Sequence, residues 1–188
     1  ANKLPLLQQA LALLVRQLGE RARLALVVYA GTDRVVLPPT AGNQQERILA
    51  AIDSLQAGGS THGSSGIRTA YQLARQSFLP GATNRVILAS DGDFNVGVTS
   101  RDELQQLIEQ ERRHGVYLSV LGFGRGNYRD DTMELLADKG NGNYAYIESL
   151  LEANRVLVRE MSGTLFTLAS DVKIQVEFNP AQVGAYRL

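Results

Sequence analysis

A carboxylate stands where an apolar run of the sequence ends. The run "NRVILAS" is a predicted strand, and Asp91 follows it in "DGDFNVG". A second segment, "GGSTHGSSG", carries small residues and hydroxyls, among them Thr61. Carboxylate, hydroxyl and water oxygens suit Mg²⁺, which often binds through only one or two carboxylates. The two segments therefore predict a hard-oxygen metal site if the fold brings them together.

Each of these residues also has an ordinary structural interpretation. Asp91 can be a turn residue that accepts backbone N–H bonds, and the hydroxyl of Thr61 can cap a helix. Neighbouring residues are candidates for contacts to a metal-bound water or a partner, although they can also simply shape or solvate the loops: Ser60, His62, Asp93 and Asn95. Residue chemistry alone leaves both interpretations open.

Composition and charge exclude several classes of function. Lys plus Arg and Asp plus Glu both number 19, so the formal net charge is zero. Long-range attraction to nucleic acid therefore has no evident source. The absence of cysteine rules out disulfides and a thiol nucleophile, and with only two histidines a catalytic zinc site is disfavoured. No apolar run reaches the roughly 20 residues of a membrane span.

Strands and helices are predicted to alternate along the chain. Strands are expected over residues 23–31, 34–40, 84–90, 116–124 and 142–149. Helices are expected over residues 4–18, 43–55, 67–78, 101–114, 130–140 and 149–163, with Asn43 capping the second. The first two strands are too close in sequence for a helical crossover and should pair antiparallel. A parallel sheet whose strands are buried on both faces is predicted for residues 23–31, 84–90, 116–124 and 142–149.

This pattern predicts an α/β fold of three layers, with a mostly parallel central sheet, one antiparallel edge strand and helices on both faces. Ligands of such sheets bind at the carboxyl ends of the strands, where Asp91 stands. Residues 172–178 alternate between apolar and polar and form a different, half-exposed type of strand. We therefore expect one domain over residues 1–163, and a linker with the start of a β-rich domain over residues 164–188.

Three motifs in this order resemble a von Willebrand factor type A domain: "GGSTHGSSGI", "ILASDGDFNVG" and "LSVLGFG". The resemblance covers about residues 2–161 and implies a Rossmann-like sheet. The closing "DVKIQVEFNPAQVGAYRL" resembles a bacterial subgroup in which a domain of unknown function follows the A domain.

The resemblance also implies a metal-ion-dependent adhesion site. Thr61 and Asp91 match two of its ligands, and the ion would be Mg²⁺, or Mn²⁺ or Ca²⁺, with an acidic side chain of a protein partner completing the coordination. The family's Asp-x-Ser-x-Ser loop and the central strand before it have no match, because "ANKLPLLQQALALLV" matches the helix that follows them. We therefore expect weak or absent metal binding in this chain, and a sheet that needs another strand beside the one carrying Asp91.

A protein–protein binding module without catalytic residues is the predicted function. One alternative is a structural domain with a non-functional metal site. Another is a metal-dependent hydrolase, which would need a general base or nucleophile near the ion. The bacterial cell envelope or periplasm is favoured over the cytoplasm as the compartment.

Overall fold

Helices and strands alternate along most of the chain in the computed structural model. It describes residues 3–29, 34–56, 63–90, 98–124 and 131–160. The strands are β1 (Arg23–Val28), β2 (Arg34–Ala41), β3 (Asn84–Ser90), β4 (Val116–Phe123) and β5 (Tyr144–Ile147). The helices are α1 (Lys3–Val15), α2 (Gln45–Asp53), α3 (Gly63–Gln76), α4 (Val98–Arg113), α5 (Asp131–Lys139) and α6 (Leu150–Asn154), and α6 continues as a π-helix over Arg155–Glu160. The predicted α/β class is confirmed.

Strands β3, β4 and β5 form a parallel sheet in that order. Asn84 of β3 lies opposite Val116, and Val120 of β4 lies opposite Tyr144. Strand β4 has a neighbour on each side, and seven of its eight residues are buried. Because the strands are parallel, their carboxyl ends meet at one edge, which we call the carboxyl edge.

Strands β1 and β2 form a separate antiparallel pair, as predicted. Arg23 lies opposite Ala41, and Pro38 and Pro39 fall within β2, where the missing N–H groups are tolerated at an edge. The expectation that β1 is buried on both faces is wrong. None of its six residues is fully buried, because within the described residues it has a strand partner on one side only.

The described sheet is thus divided between β1 and β3, and helices on both faces hold its two parts together. On one face, Leu14 of α1 packs in a cluster with Leu121 and Phe123 of β4. The next residue, Val15, packs in a second cluster with Leu37 of β2. Each fully buried Leu or Val side chain stabilises the fold by about 1.5–3 kcal/mol. Helix α1 therefore joins the β1–β2 pair to the parallel sheet by side-chain packing.

Helix α3 performs the same role on the other face. Its Ile67 and Tyr71 are buried with Val86 and Leu88 of β3, and the ring of Tyr29, at the end of β1, packs against the same cluster. Strands β1 and β3 are not hydrogen-bonded to each other. Side-chain packing of α1 and α3 therefore joins the two parts of the described sheet.

Several helix ends differ from the sequence-based expectation. Helix α3 begins at Gly63 rather than at residue 67, and α4 begins at Val98 rather than at residue 101. The prediction that Asn43 caps α2 is wrong, because Gln44 precedes the helix and makes no side-chain cap bond. Ser149 does cap α6, accepting a hydrogen bond from the backbone N–H of Glu152 at 3.3 Å.

The turn before β5 requires glycine at position 142. A Cβ there would overlap the carbonyl oxygen of Leu118 and lie 2.9 Å from Ser119 Oγ. Gly142→Ala should therefore lower the free energy of unfolding by about 1–3 kcal/mol, as measured by urea denaturation. Gly19→Ala is the matched control, since nothing lies within 4 Å of its Cβ. Equal effects of the two substitutions would contradict the packing at this turn.

Candidate functional site at the carboxyl edge

Tyr29 joins three elements at the carboxyl edge. Its hydroxyl donates a hydrogen bond of 2.9 Å to the carbonyl oxygen of Ala89, near the end of β3. The backbone of Gly66, in the first turn of α3, packs directly on its side chain, and a Cβ at Gly66 would overlap the Tyr29 Cβ. Ala89 lies two residues before Asp91, and Gly66 lies five residues after Thr61. The two chain segments that flank the predicted metal ligands therefore meet at one residue.

The predicted ligands and their neighbours lie outside the described residues: Ser60, Thr61, His62, Asp91, Asp93 and Asn95. Their positions thus stay predictions. The described chain reaches Gly63 on one side and Ser90 on the other, which are the residues adjacent to His62 and Asp91.

The starts of α3, α4 and α5 are linked to one another by polar side chains. Arg68 of α3 forms an ion pair of 3.2 Å with Glu103 of α4, and both side chains are exposed. Arg101 of α4 donates a hydrogen bond of 2.8 Å to Thr132 Oγ1 in the first turn of α5. Exposed pairs of this kind contribute little stability, but they link the helix ends beside the carboxyl edge.

The first turns of α3 and α4 contain no acidic residue. A helix carries roughly half a positive charge at its amino end, and an acidic side chain in the first turn would offset it. In α5, Asp131 and Glu134 provide that offset. The amino ends of α3 and α4 therefore favour a nearby anionic group, whereas a cation held there needs a carboxylate of its own.

Two polar groups are buried between α3 and α4. Tyr71 and Glu111 are 1% and 4% exposed, and Arg75 contacts one Glu111 carboxylate oxygen at 3.4 Å. The Tyr71 hydroxyl and the other carboxylate oxygen, Oε2, have no hydrogen-bond partner among the described residues. Burial, together with the charge of Glu111, raises the pKa of Tyr71 above its ordinary value. Tyr71 is thus a neutral side chain, and its hydroxyl makes no hydrogen bond to the described part of α3 or α4.

A cavity of about 290 Å³ lies elsewhere, between α5 and the start of β5. Its polar lining includes Ser119, Glu134, Asp138 and Asn143. Nowhere in the described ranges do three or more His, Cys, Asp or Glu side chains form a group that could hold a metal ion.

None of the helices in the described part of the chain has the length and apolar character needed to cross a membrane.

Sequence reasoning missed the residues that organise the carboxyl edge, namely Tyr29, Gly66 and the pair Arg101 and Thr132. The aromatic residue at the end of an apolar strand and the glycine inside the "GSSGI" segment were the available signals. Neither identifies its partner, because Tyr29 and Ala89 are 60 positions apart in the chain.

The profile of the von Willebrand factor type A domain matches residues 1–159. The chain belongs to the von Willebrand factor type A domain family. Residues 163–188 match the C-terminal region of the uncharacterized protein YfbK. A von Willebrand factor type A domain is thus followed by the C-terminal region of YfbK, which confirms the order of domains expected from the sequence motifs.

One relative is the uncharacterized protein YfbK of Escherichia coli strain K12. It is 49% identical over 186 residues, which cover 99% of this chain and 32% of the relative. The chain therefore spans about a third of the length of that protein.

Solved structures share the fold at low sequence identity. A von Willebrand factor type A protein from Catenulispora acidiphila has a TM-score of 0.72 at 20% identity, covering 88% of this chain and 38% of that one. The conserved hypothetical protein BatB from Bacteroides thetaiotaomicron has a TM-score of 0.64 at 19% identity, covering 85% and 87%. Proximal thread matrix protein 1 from the mussel byssus, with a zinc-occupied MIDAS motif, has a TM-score of 0.61 at 18% identity, covering 84% and 41%.

The same substitution at two tyrosines should have different effects. Tyr29→Phe removes the hydrogen bond to Ala89 and should lower the free energy of unfolding by about 0.5–1.5 kcal/mol. Tyr71→Phe removes a buried hydroxyl that has no hydrogen-bond partner among the described residues, so stability should be unchanged or higher. Both variants are compared with the parent chain by urea denaturation. A loss at Tyr71 equal to that at Tyr29 would contradict the hydrogen bonding described for these residues.

Proposed function

We propose that this domain is a protein-binding module that holds a divalent cation, Mg²⁺ or alternatively Mn²⁺ or Ca²⁺, between Thr61 and Asp91. The observation that carries the proposal is the junction at Tyr29, where the end of β3 and the first turn of α3 meet. Because Asp91 directly follows β3 and Thr61 closely precedes α3, both side chains originate from segments held at the carboxyl edge.

The chemistry of the donors supports a hard cation. Asp91 supplies one carboxylate and Thr61 a neutral hydroxyl, and Mg²⁺ accepts such oxygen ligands while retaining several waters. The zinc-occupied MIDAS motif of the mussel byssus protein supports divalent-ion binding by a domain of this fold. With one negative charge against a divalent ion, we expect the ion to bind weakly to residues 1–188.

A divalent ion carries one positive charge more than the Asp91 carboxylate can balance. This excess favours a partner with an acidic side chain. A carboxylate from a protein ligand would fill an open coordination position and bring the second negative charge. The amino ends of α3 and α4 would attract the same carboxylate, because their first turns carry no acid of their own. Ser60, His62, Asp93 and Asn95 are proposed to contact the metal-bound water or the partner.

Two alternatives are weaker. A metal-dependent hydrolase would need a positioned base near the ion, and only Asp93 and His62 are available for that role in the two loops. A structural domain with a non-functional metal site remains the outcome if the ion does not bind. The domain boundary near residue 163 and the location in the envelope or periplasm stay predictions.

Mn²⁺ is a direct probe of the proposed site, because a paramagnetic ion broadens the NMR signals of nearby amides even when it binds weakly. We expect it to broaden the amide signals of Ser90 and Ser65 before those of Asn84 and Val116 at the opposite edge. Asp91→Ala should weaken this binding at least about tenfold, or about 1.4 kcal/mol. The matched control is Asp53→Ala, since Asp53 is an exposed carboxylate at the end of α2.

A short peptide with one central Asp tests the partner. In the presence of Mg²⁺, which is diamagnetic and leaves these signals sharp, it should shift the signals of the first turns of α3 and α4, whereas the same peptide with Asn should not. Unchanged broadening in Asp91→Ala would contradict the metal assignment. Equal shifts with the Asp and Asn peptides would contradict recognition of an acidic side chain.

A further inference from the structure

A loop without charged side chains is exposed at the amino edge of the sheet, where β3 and β4 begin. Residues 78–82, "FLPGA", lie in this loop between α3 and β3. Phe78 is 39% exposed, Leu79 is half-buried, and the three residues after them are exposed. A run of exposed residues without polar side chains is unusual in a loop unless it has a function.

The side chain of Asn84 holds the backbone of this loop. Its Oδ1 accepts a hydrogen bond from the N–H of Leu79, and its Nδ2 donates to the carbonyl oxygens of Leu79 and Ala82, all at 3.0 Å. The N–H of Phe78 donates to the last turn of α3 at 3.3 Å, and that of Ala82 donates to Leu79 at 3.2 Å. Proline has no N–H, so three of the four N–H groups in residues 78–82 have acceptors within the protein.

Cationic side chains lie beside the loop. A Cβ at Gly115 would lie 3.5 Å from the ring of Phe78, so the loop contacts the turn that follows α4. The last turn of α4 contains Arg112 and Arg113, and His114 follows it. Both Arg113 and His114 are exposed. The two segments together form what we call the basic loop surface: residues 78–82 and 112–114.

Acidic side chains near this surface already have cationic partners. In the last turns of α3 and α4 the one acid is Glu111, which is 4% exposed and forms an ion pair with Arg75. One turn earlier in α4, Glu109 forms an ion pair of 2.8 Å with Lys139. The two arginines that end α4 have no ion-pair partner within the described residues. They therefore leave a local excess of positive charge.

Helix electrostatics explain only part of this arrangement. Cations in a last turn offset the negative end of a helix, but they do not account for the exposed apolar loop beside them. An anionic membrane surface fits both features, because lipid phosphates attract arginines and the interface accepts apolar side chains. A protein partner could itself pair with the N–H groups of the loop, whereas the hydrocarbon of a bilayer cannot. The hydrogen bonds made by Asn84 therefore favour a membrane as the ligand.

We propose that the basic loop surface binds the headgroup region of a membrane that contains anionic lipids. Phe78 inserts among the lipids, and Arg112 and Arg113 contact their phosphates. Because the formal net charge of the chain is zero, the attraction is local and acts within roughly 10 Å at an ionic strength of about 0.1 M. The carboxyl edge, at the opposite end of the strands, then faces away from the membrane and stays accessible to a partner.

Fluorescence can detect insertion of the loop, because the chain contains no Trp and Phe78→Trp introduces a single probe. The variant is mixed with vesicles of phosphatidylglycerol and phosphatidylcholine in equal amounts, or of phosphatidylcholine alone. EDTA is present throughout, so that a metal ion at the carboxyl edge cannot bridge the protein to lipid phosphates. We expect a blue shift of the indole emission with the anionic vesicles only, and its loss at high salt. Val35→Trp is the matched control and should show no shift, since Val35 is 40% exposed but lies in β2.

Cosedimentation of the full 188-residue chain with the anionic vesicles measures the contribution of the cations. Replacing Arg112 and Arg113 together by Gln should lower the partition coefficient at least about tenfold, because each arginine near an anionic surface strengthens binding. Replacing Arg16 and Arg47 together by Gln removes the same charge from two exposed arginines outside the surface. This control pair should change the partition coefficient by less than about twofold.

Three outcomes would overturn the proposal. The first is an equal blue shift of the Phe78→Trp variant with both kinds of vesicle, or no shift with either. The second is an equal loss of partition in the two arginine pairs, which would show attraction by overall charge and not by this surface. The third is a blue shift without vesicles on addition of a soluble peptide of alternating Glu and Leu, which would identify an acidic protein segment as the ligand.

Discussion

Packing of two helices across a divided sheet is the constraint on which the rest of this structure depends. Backbone hydrogen bonds normally join neighbouring strands, but β1 and β3 are not paired in the described chain. Helix α1 compensates on one face with side chains in two separate clusters. Helix α3 compensates on the other face, where Tyr29 also packs. The carboxyl ends of β1 and β3 thus lie at the same edge of the sheet, although backbone hydrogen bonds do not pair the two strands.

The candidate site follows from that arrangement. If α3 moved relative to β3, Gly66 would leave Tyr29, and the segments before α3 and after β3 would separate. The same helix starts give the edge an electrostatic preference for acidic groups, because α3 and α4 lack acids in their first turns. The domain family is consistent with binding of another protein, and we propose that this binding occurs at the carboxyl edge with a cation as the intermediary.

Much of the fold could be predicted because its signals are local. Continuous apolar runs identified β3 and β4, and the short connection between β1 and β2 required antiparallel pairing. Burial of β1 was predicted wrongly, because burial depends on a neighbouring strand and not on the apolar run itself. The early start of α3 was missed because a Gly- and Ser-rich segment favours a loop. The close packing of Gly66 on Tyr29 is a tertiary contact that has no local signal. The hydrogen bond from Tyr29 to Ala89 depends on tertiary structure and has no local signature.

Amide hydrogen exchange along β3 in the free protein tests the divided sheet most directly. In a parallel strand, alternate N–H groups point to opposite neighbours. The account predicts that β3 amides alternate, with slow exchange where the N–H faces β4 and faster exchange where it faces β1, while β4 amides exchange slowly throughout. Uniformly slow exchange along β3 would contradict it, since every amide of the strand would then have a hydrogen-bond partner.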